Sequence, residues 1–246
     1  KGTKVNLIDC PGYGIFFTET RAGLAAADAV LIAINGVSGV EVNTEKVWTT
    51  AEEIELPVIL HLTKMDRERA DFERTLENLR ARFGRGVLPI QLPIGSEAGF
   101  SGVIDLVHLK AYKFAKDGNG KAEPTEVPDQ LREAAEAARA QLVETVAETD
   151  DEMMMGFFEQ GTLSQENLER GLKNAIFHRN IFPVTMSSGL HGIGPAALLD
   201  SIVDFAPNPT SREIVATNVG GDPLPLHADP AGQLAVLVFK TLSDPF

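Results

Sequence analysis

Asp66 stands two positions after Lys64 in the tetrapeptide Thr63-Lys64-Met65-Asp66, directly behind the apolar run Pro57 to Leu62. A carboxylate so placed accepts two hydrogen bonds from the N1–H and 2-amino group of guanine, while the aliphatic stem of the lysine covers the ring. Adenine presents an acceptor at N1 and leaves that carboxylate unpaired, a mismatch that discriminates by about 10⁴ to 10⁵ where a site is built around it. The same four residues also read as a charged helix start, with Asp66 near an N-terminus for dipole reasons. A second stretch, Asp9-Cys10-Pro11-Gly12-Tyr13, follows Val5 to Ile8. An Asp at the carboxyl end of a strand holds Mg²⁺ through water, and a nearby Gly lets a backbone N–H approach a terminal phosphate. Asp, Pro and Gly are equally ordinary turn residues. The third stretch, Ser187-Ser188-Gly189-Leu190, follows Phe182 to Thr185. A small residue there brings a backbone N–H to the guanine O6, or simply makes a loop.

The elements that must position these stretches follow from periodicity and breakers. Val5 to Ile8 is a short β-branched run stopped by Pro11 and Gly12 and reads as a strand, and Ala29 to Ile34 reads as a fully buried strand closed by Asn35-Gly36. Helical composition or spacing covers Thr18 to Ala27, Thr44 to Ile54 and Asp71 to Phe83, the last stopped by Gly84. Strand and helix in alternation predict a parallel sheet with crossovers. From Val87 to Phe114 the apolar pieces shorten to Ile90 to Leu92, Val103 to Leu106 and Val107 to Phe114, which predicts short strands of a smaller inserted sheet with a turn at Asp117-Gly118-Asn119-Gly120. Two helices follow, Pro128 to about Thr149 and Ser164 to about His178, the second capped by Ser164. Phe182 to Thr185 resumes a buried strand, Ile193 to Phe205 a helix, the Pro- and Gly-rich segment to Pro230 a linker, and Leu234 to Thr241 a new strand.

Composition bounds the function. Thirty-five acidic against 22 basic residues give a net charge of −13, which argues against coating a duplex by charge alone. The acidity is concentrated: Glu123 to Arg170 holds 13 acidic and 3 basic residues. No apolar run approaches the roughly 18 to 20 residues of a membrane span. The single cysteine, Cys10, excludes an intrachain disulfide and fits a reducing cytosol. The five histidines show no paired metal spacing, so none is assigned as a ligand. Met153-Met154-Met155 with Phe157-Phe158 reads as core of the insert.

One phosphate-end stretch and two base-end stretches, in this order behind three strands, describe the back two-thirds of a GTP-binding domain. The chain resembles the bacterial elongation factor G family of translational GTPases, in particular members with Tyr in place of His in the Asp-Thr-Pro-Gly-His element. Further matching phrases are Gly36 to Glu41, Thr44 to Trp48, Gln91 to Gly95, Phe100 to Leu106, Lys110-Ala111-Tyr112 and Phe239 to Phe246. The resemblance covers nearly all 246 residues.

It implies an α/β fold, with a phosphate-loop GTPase-type parallel sheet, flanking helices, a smaller α+β insert and the first strand of a following β-barrel domain. The implied divisions are GTPase core at 1–90 and 181–210, inserted subdomain at 91–180, linker at 211–232 and β-barrel start at 233–246. GTP and Mg²⁺ are the implied cofactors, with Asp9 toward the metal and Gly12 toward the terminal phosphate. Tyr13 takes the place of the residue that positions the attacking water. Thr63, Lys64, Asp66, Ser188, Gly189 and Leu190 are implied to hold the base. The implied partner is the ribosome, through its RNA and its stalk protein, in a cytoplasmic monomer with no membrane contact. Hydrolysis would then drive translocation or a related step; the alternative is a hydrolysis-poor regulatory paralogue that holds GTP and docks on the ribosome. An adenine-nucleotide enzyme is disfavoured by Asp66.

Three departures qualify the match. The phosphate-binding pattern G-x-x-x-x-G-K-[ST] is absent from the 246 residues and is expected upstream of Lys1. Thr63 replaces the family's usual Asn, exchanging an amide for a hydroxyl that can still bond nearby backbone. Cys10 replaces Thr and reads as a small packing residue rather than a nucleophile.

Overall fold

The computed structural model describes residues 2–115, 119–212 and 214–241. In chain order its main elements are α1 (Phe17–Ala25), β1 (Val30–Asn35), α2 (Val42–Glu53), β2 (Val58–Thr63), α3 (Phe72–Phe83), β3 (Val87–Pro89), β4 (Gln91–Ile94), β5 (Gly102–Asp105), β6 (Lys110–Phe114), β7 (Ala122–Thr125), α4 (Asp129–Ala147), α5 (Asp151–Gln160), α6 (Gln165–Phe177), β8 (Phe182–Met186), α7 (Pro195–Phe205), β9 (Ile214–Thr217) and β10 (Pro223–Leu226).

A parallel sheet in the order β1-β2-β8-β3 organises the first half of the chain and the return strand β8. β2 and β8 are central and buried along almost their whole length, as two-sided burial of a parallel sheet requires. Ile34, Leu60, Leu62 and Val184 are fully enclosed, each worth roughly 1.5–3 kcal/mol of burial. Trp48 of α2 stacks on Phe83 of α3 at 4.1 Å and meets Phe182 of β8 edge-on at 4.5 Å, locking two helices onto the sheet. The helix signals act locally as expected. Asp71 caps α3 by accepting from Arg74 N–H, and Gly84 ends it at φ 92°, a conformation that glycine adopts without penalty. Ser164 caps α6 by accepting from Asn167 N–H.

A second, antiparallel sheet, β4-β5-β6-β7, carries α4, α5 and α6 on a separate apolar core that includes Ile104, Leu142, Val146, Leu168 and Leu172. Gly102 of β5 lies so close to β6 that a Cβ would stand 2.2 Å from the Tyr112 carbonyl. The chain passes between the sheets at Ile90: Pro89 pairs with Val184 in one, Gln91 with Asp105 in the other.

Several expectations are corrected. Val5 to Ile8 forms no strand, and Leu7 and Ile8 are exposed, because among the described residues no strand lies beside it to complete its hydrogen bonds. β1 is consequently an edge strand, and its burial alternates instead of being complete, with Leu31 exposed. The 214–226 part of the expected linker forms a hairpin, β9 with β10, turned through Asn218, Gly221 and Asp222. Leu234 to Thr241 is not a strand; Leu234 to Phe239 is largely exposed and pairs with no strand among the described residues. The region Val107 to Leu109 is a turn, and the strand begins only at Lys110. Asp117 and Gly118 of the expected turn, and Leu242 to Phe246 of the terminal phrase, lie outside the described residues. Of the Met and Phe cluster on α5, Met153 enters the core, whereas Met155 and Phe158 face solvent. No helix among the described residues is long and apolar enough to cross a membrane.

Candidate functional site

The carboxyl ends of β1, β2 and β8 lie side by side, so the loops behind them share one edge of the sheet. Behind β2 the chain turns sharply, with Lys64 in the left-handed region at φ 59°. A side chain with a Cβ adopts this conformation only where its surroundings impose it. Two bonds do so here: Met65 N–H donates to the Ser187 carbonyl at 3.2 Å, and Arg67 N–H donates to the Lys64 carbonyl at 3.1 Å. Met65 is sunk into the core beneath the turn, leaving Lys64 exposed above it. Gly36 makes room for this packing, since a Cβ there would stand 2.7 Å from the Met65 Sδ.

Asp66 follows, with its side chain only 8% exposed. It sits in a turn well before α3, whose cap is Asp71, so a helix-start charge is not its place in the fold. Among the described residues its carboxylate accepts no hydrogen bond. Arg67 Nε and His191 Nε2 approach the same oxygen, Oδ2, at 3.9 and 3.8 Å, beyond hydrogen-bond range. The carboxylate is thus nearly enclosed and faces two basic side chains, with its hydrogen-bonding capacity unused by the described residues. Thr63 supports the turn: its hydroxyl donates to the Ile34 carbonyl at 3.1 Å, and its own carbonyl accepts from Gly36 N–H at 2.9 Å.

Behind β8, Ser187 and Ser188 are buried while Gly189 and Leu190 are exposed. Ser188 exchanges backbone hydrogen bonds with Ile193 at 2.8 and 3.0 Å, closing a tight loop around Gly189 to Gly192. The His191 N–H donates to the Ser188 hydroxyl at 3.4 Å. Gly194, at φ 96°, lets the chain leave against the Met186 carbonyl, where a Cβ would come within 2.4 Å. Thr63, Lys64, Asp66, Ser188, Gly189 and Leu190 are thus gathered on two loops tied together at Met65 and Ser187.

The Asp9 to Tyr13 stretch is held differently. Asn43 Nδ2, at the start of α2, donates to the Gly12 carbonyl at 2.8 Å, and the Thr20 hydroxyl donates to the Pro11 carbonyl at 3.1 Å. The space where a Gly12 Cβ would lie is open. Asp9 is exposed, and Tyr13 is 77% exposed and caps a single 3₁₀ turn, Gly14–Phe16. Its hydroxyl has no hydrogen-bond partner among the described residues. Cys10 is half-buried, with its sulfur against Gly23, where a Cβ would come within 2.5 Å. Burial, then the neighbouring Asp9 charge, push its thiol pKa up, which opposes nucleophilic use.

The described residues contain no group of three or more His, Cys, Asp or Glu arranged to hold a metal ion by themselves. Asp9 fits a metal held largely by phosphate and water, the usual condition of Mg²⁺ at nucleotide sites. Cavities of about 400 and 500 Å³ lie elsewhere, one lined by Gln91, Asp105, His108 and Asp204 and the other by Met153, Arg170 and Phe177; neither includes the loops above.

Three further residues enter the geometry. Asn43 fixes Gly12, and its type carried no signal before its contact was visible. His61 occupies the centre of buried β2, where one polar residue in the run Val58 to Leu62 signalled a need for partners. His191 faces Asp66 from the opposite loop.

Residues 1–208 match the family described as elongation factor Tu GTP binding domain. The whole chain is similar, with 36% identity over 247 aligned positions, to elongation factor G of Mycoplasma pneumoniae and spans 36% of that protein's length. The fold is similar to a crystal structure of a protein from Thermus thermophilus, with a TM-score of 0.77 and 38% identity; the match covers 83% of this chain and 30% of that one.

Proposed function

The chain belongs to the elongation factor Tu GTP-binding domain family, and from that premise we propose that it forms the guanine-reading part of a GTPase that acts on the ribosome in protein synthesis. The observation that carries the reading is the Asp66 carboxylate, 8% exposed and bonded to no donor among the described residues, on a turn tied to the Ser187 to Leu190 loop.

In this reading Asp66 accepts from guanine N1–H and the 2-amino group, and the Lys64 stem covers the base. Thr63 braces the turn from below. The backbone N–H groups of Gly189 and Leu190 serve the guanine O6, while the Ser188 N–H, spent on the Ile193 carbonyl, holds the loop closed. Asp9 belongs to Mg²⁺ through water, and Gly12 leaves its backbone open to the terminal phosphate. Tyr13 stands where water is positioned for in-line attack. Bound Mg²⁺ would neutralise charge developing on the transferred phosphoryl group. The chain's own contribution is to hold the base and offer Asp9 to that ion.

The domain reading places the core at 1–90 and 181–210 and the insert at 91–180. Sheet membership supports the first division, since β3 pairs in the parallel sheet and β4 opens the antiparallel one. Coupling of hydrolysis to release from the ribosome follows the usual logic of loops ordered by a terminal phosphate. Translocation is the leading role. Tyr13 favours a second reading, a hydrolysis-poor regulator that docks on the ribosome with GTP bound, because a phenol presents no imidazolium to the transition state.

Calorimetry with GTP, ATP and Mg²⁺ tests the reading on two samples, this chain and the same chain extended to include a phosphate loop. The 246 residues alone should bind weakly, because they lack the backbone cradle and lysine that carry phosphate affinity. The extended protein should bind GTP and reject ATP. Equal affinity for the two would remove Asp66 from the base site.

A further inference from the structure

His61 lies in the middle of β2, 4% exposed, with both ring nitrogens satisfied by hydroxyls of the chain that follows the insert. Nδ1 is 2.8 Å from the Thr185 Oγ1 of β8, and Nε2 is 2.8 Å from the Ser187 Oγ just beyond it. The Thr185 hydroxyl also reaches the Leu60 carbonyl at 3.3 Å. In the tautomer that keeps this bond, Nδ1–H donates to the Thr185 oxygen and Nε2 accepts from the Ser187 hydroxyl. A directed chain results: Ser187 donates to His61, His61 to Thr185, and Thr185 to Leu60.

Ser187 is also the residue where the two base loops meet. Its N–H donates to the Leu62 carbonyl at 2.8 Å, and its carbonyl accepts from Met65 N–H at 3.2 Å. Asp66 follows Met65 directly, and Ser188 follows Ser187. One residue thus carries three bonds to the β2 side: backbone to Leu62, backbone to Met65 and side chain to His61. A hydrophobic side chain would pack this interior equally well, so the imidazole adds direction rather than burial.

We propose that His61 is a positioning residue for the guanine site, fixing Ser187 through its side chain and so setting the spacing between Asp66 and the Ser188–Gly189 backbone. The selectivity consequence rests on the guanine reading above, whereas the stitching of the loops stands on the bonds alone. His61 touches no ligand itself. Its neighbours across β2, Ala33 of β1 and Thr185 of β8, are uncharged, as are Ser187 and Leu60, and burial is the sole cause depressing its pKa.

The test uses the full-length protein, as wild type, His61→Leu, Ser187→Ala and the double variant, with GDP and inosine diphosphate as probes. Inosine diphosphate lacks the 2-amino group, so the affinity ratio reads the placement of Asp66. Each single substitution should lower the preference for GDP by on the order of tenfold, the scale of one hydrogen bond. The double variant should lower it no further, because both changes cut the same link. Hydrogen exchange, read on peptides covering 60–68 and 184–194, should quicken in every variant, while peptides of the insert stay unchanged. Long-range nitrogen NMR should show Nδ1 protonated and Nε2 bare in the wild type. An unchanged GDP preference, additive effects in the double variant, or faster exchange spread evenly over the chain would overturn the proposal. A wild type without preference for GDP, but with loop exchange that responds to His61→Leu, would overturn the guanine reading and leave the stitching established.

Discussion

The N–H of Met65 donates to the carbonyl of Ser187 across 3.2 Å, joining the turn behind β2 to the turn behind β8, although the two residues lie far apart in the chain with the whole insert between them. This bond ties the turn that carries Asp66, whose carboxylate is bonded to no donor among the described residues, to the loop that begins at Ser188. In the proposed guanine reading, complementarity to the base's adjacent donor and acceptor edges requires that connection to be short and stiff. It also accounts for the left-handed backbone of Lys64, which the turn adopts in order to bring Met65 under and Asp66 inward.

Replacing Asp66 by Asn should weaken guanine binding and move preference toward xanthine. An amide donates to the xanthine 2-carbonyl, where a carboxylate is repelled by it. Competition between GTP and XTP on the phosphate-loop-containing protein measures the change, expected to exceed about tenfold in the ratio. An unaltered ratio would place the base elsewhere.

Tyr13→His should raise ribosome-stimulated GTP turnover and leave GTP affinity nearly unchanged, the pattern of a residue that acts only in the transition state. The side chain is exposed and unbonded among the described residues, so the exchange disturbs little packing. Single-turnover hydrolysis with excess ribosomes reads the effect. Fast native hydrolysis that falls on introducing His would show Tyr13 to belong to a working alternative arrangement, and would end the hydrolysis-poor reading.

Acid should expose the cost of His61. Burial lowers its pKa from 6.5 to about 4, so the unfolded chain binds a proton more readily than the folded one between those values. Stability is therefore free of this penalty above pH 6.5 and loses roughly 3 kcal/mol by pH 4. His61→Leu should flatten that slope in urea titrations at successive pH values. A slope unchanged by the substitution would mean that other groups dominate the window.

His108 should act in the opposite sense. A hydrogen bond to Asp105 at 2.6 Å is the chief cause raising its pKa, with Glu169 and Asp204 adding to it. Its contribution is complete below the unfolded value near 6.5 and fades as pH rises through the raised folded value. His108→Asn should thus lower the urea midpoint at pH 6 and leave it nearly unchanged at pH 9. Equal losses at both would assign His108 a packing role only.

Trp48→Phe, which keeps an aromatic ring against Phe83 and Phe182, should cost less than half of Trp48→Ala, for which about 3–5 kcal/mol is expected. Chemical denaturation followed by circular dichroism separates the two. Equal losses would show that the full indole, and not merely an aromatic ring at this place, is needed to hold α2 and α3 on the sheet.

The parts of this protein whose rules are local were legible in the order of its residues. Asp71, Gly84 and Ser164 mark helix ends because a cap is chemistry between near neighbours, and the runs from Pro57 and Phe182 read as buried strands because their faces leave no polar side to water. The stretches Thr63 to Asp66 and Ser187 to Leu190 stood out because polar and small residues directly follow buried strands there. Whatever depends on a partner distant in the chain waited on the folded arrangement. Val5 to Ile8 and Leu234 to Thr241 carry strand composition and form none, since a strand exists only beside another strand. Conversely, 214–226 looked like a linker and pairs with itself, since Gly221 and Asn218 turn two short runs back to meet. The histidines show the same division: spacing excluded a paired metal site, but only the register of β2 against β8 placed His61 between Thr185 and Ser187, and only the closing of two loops set His191 against Asp66.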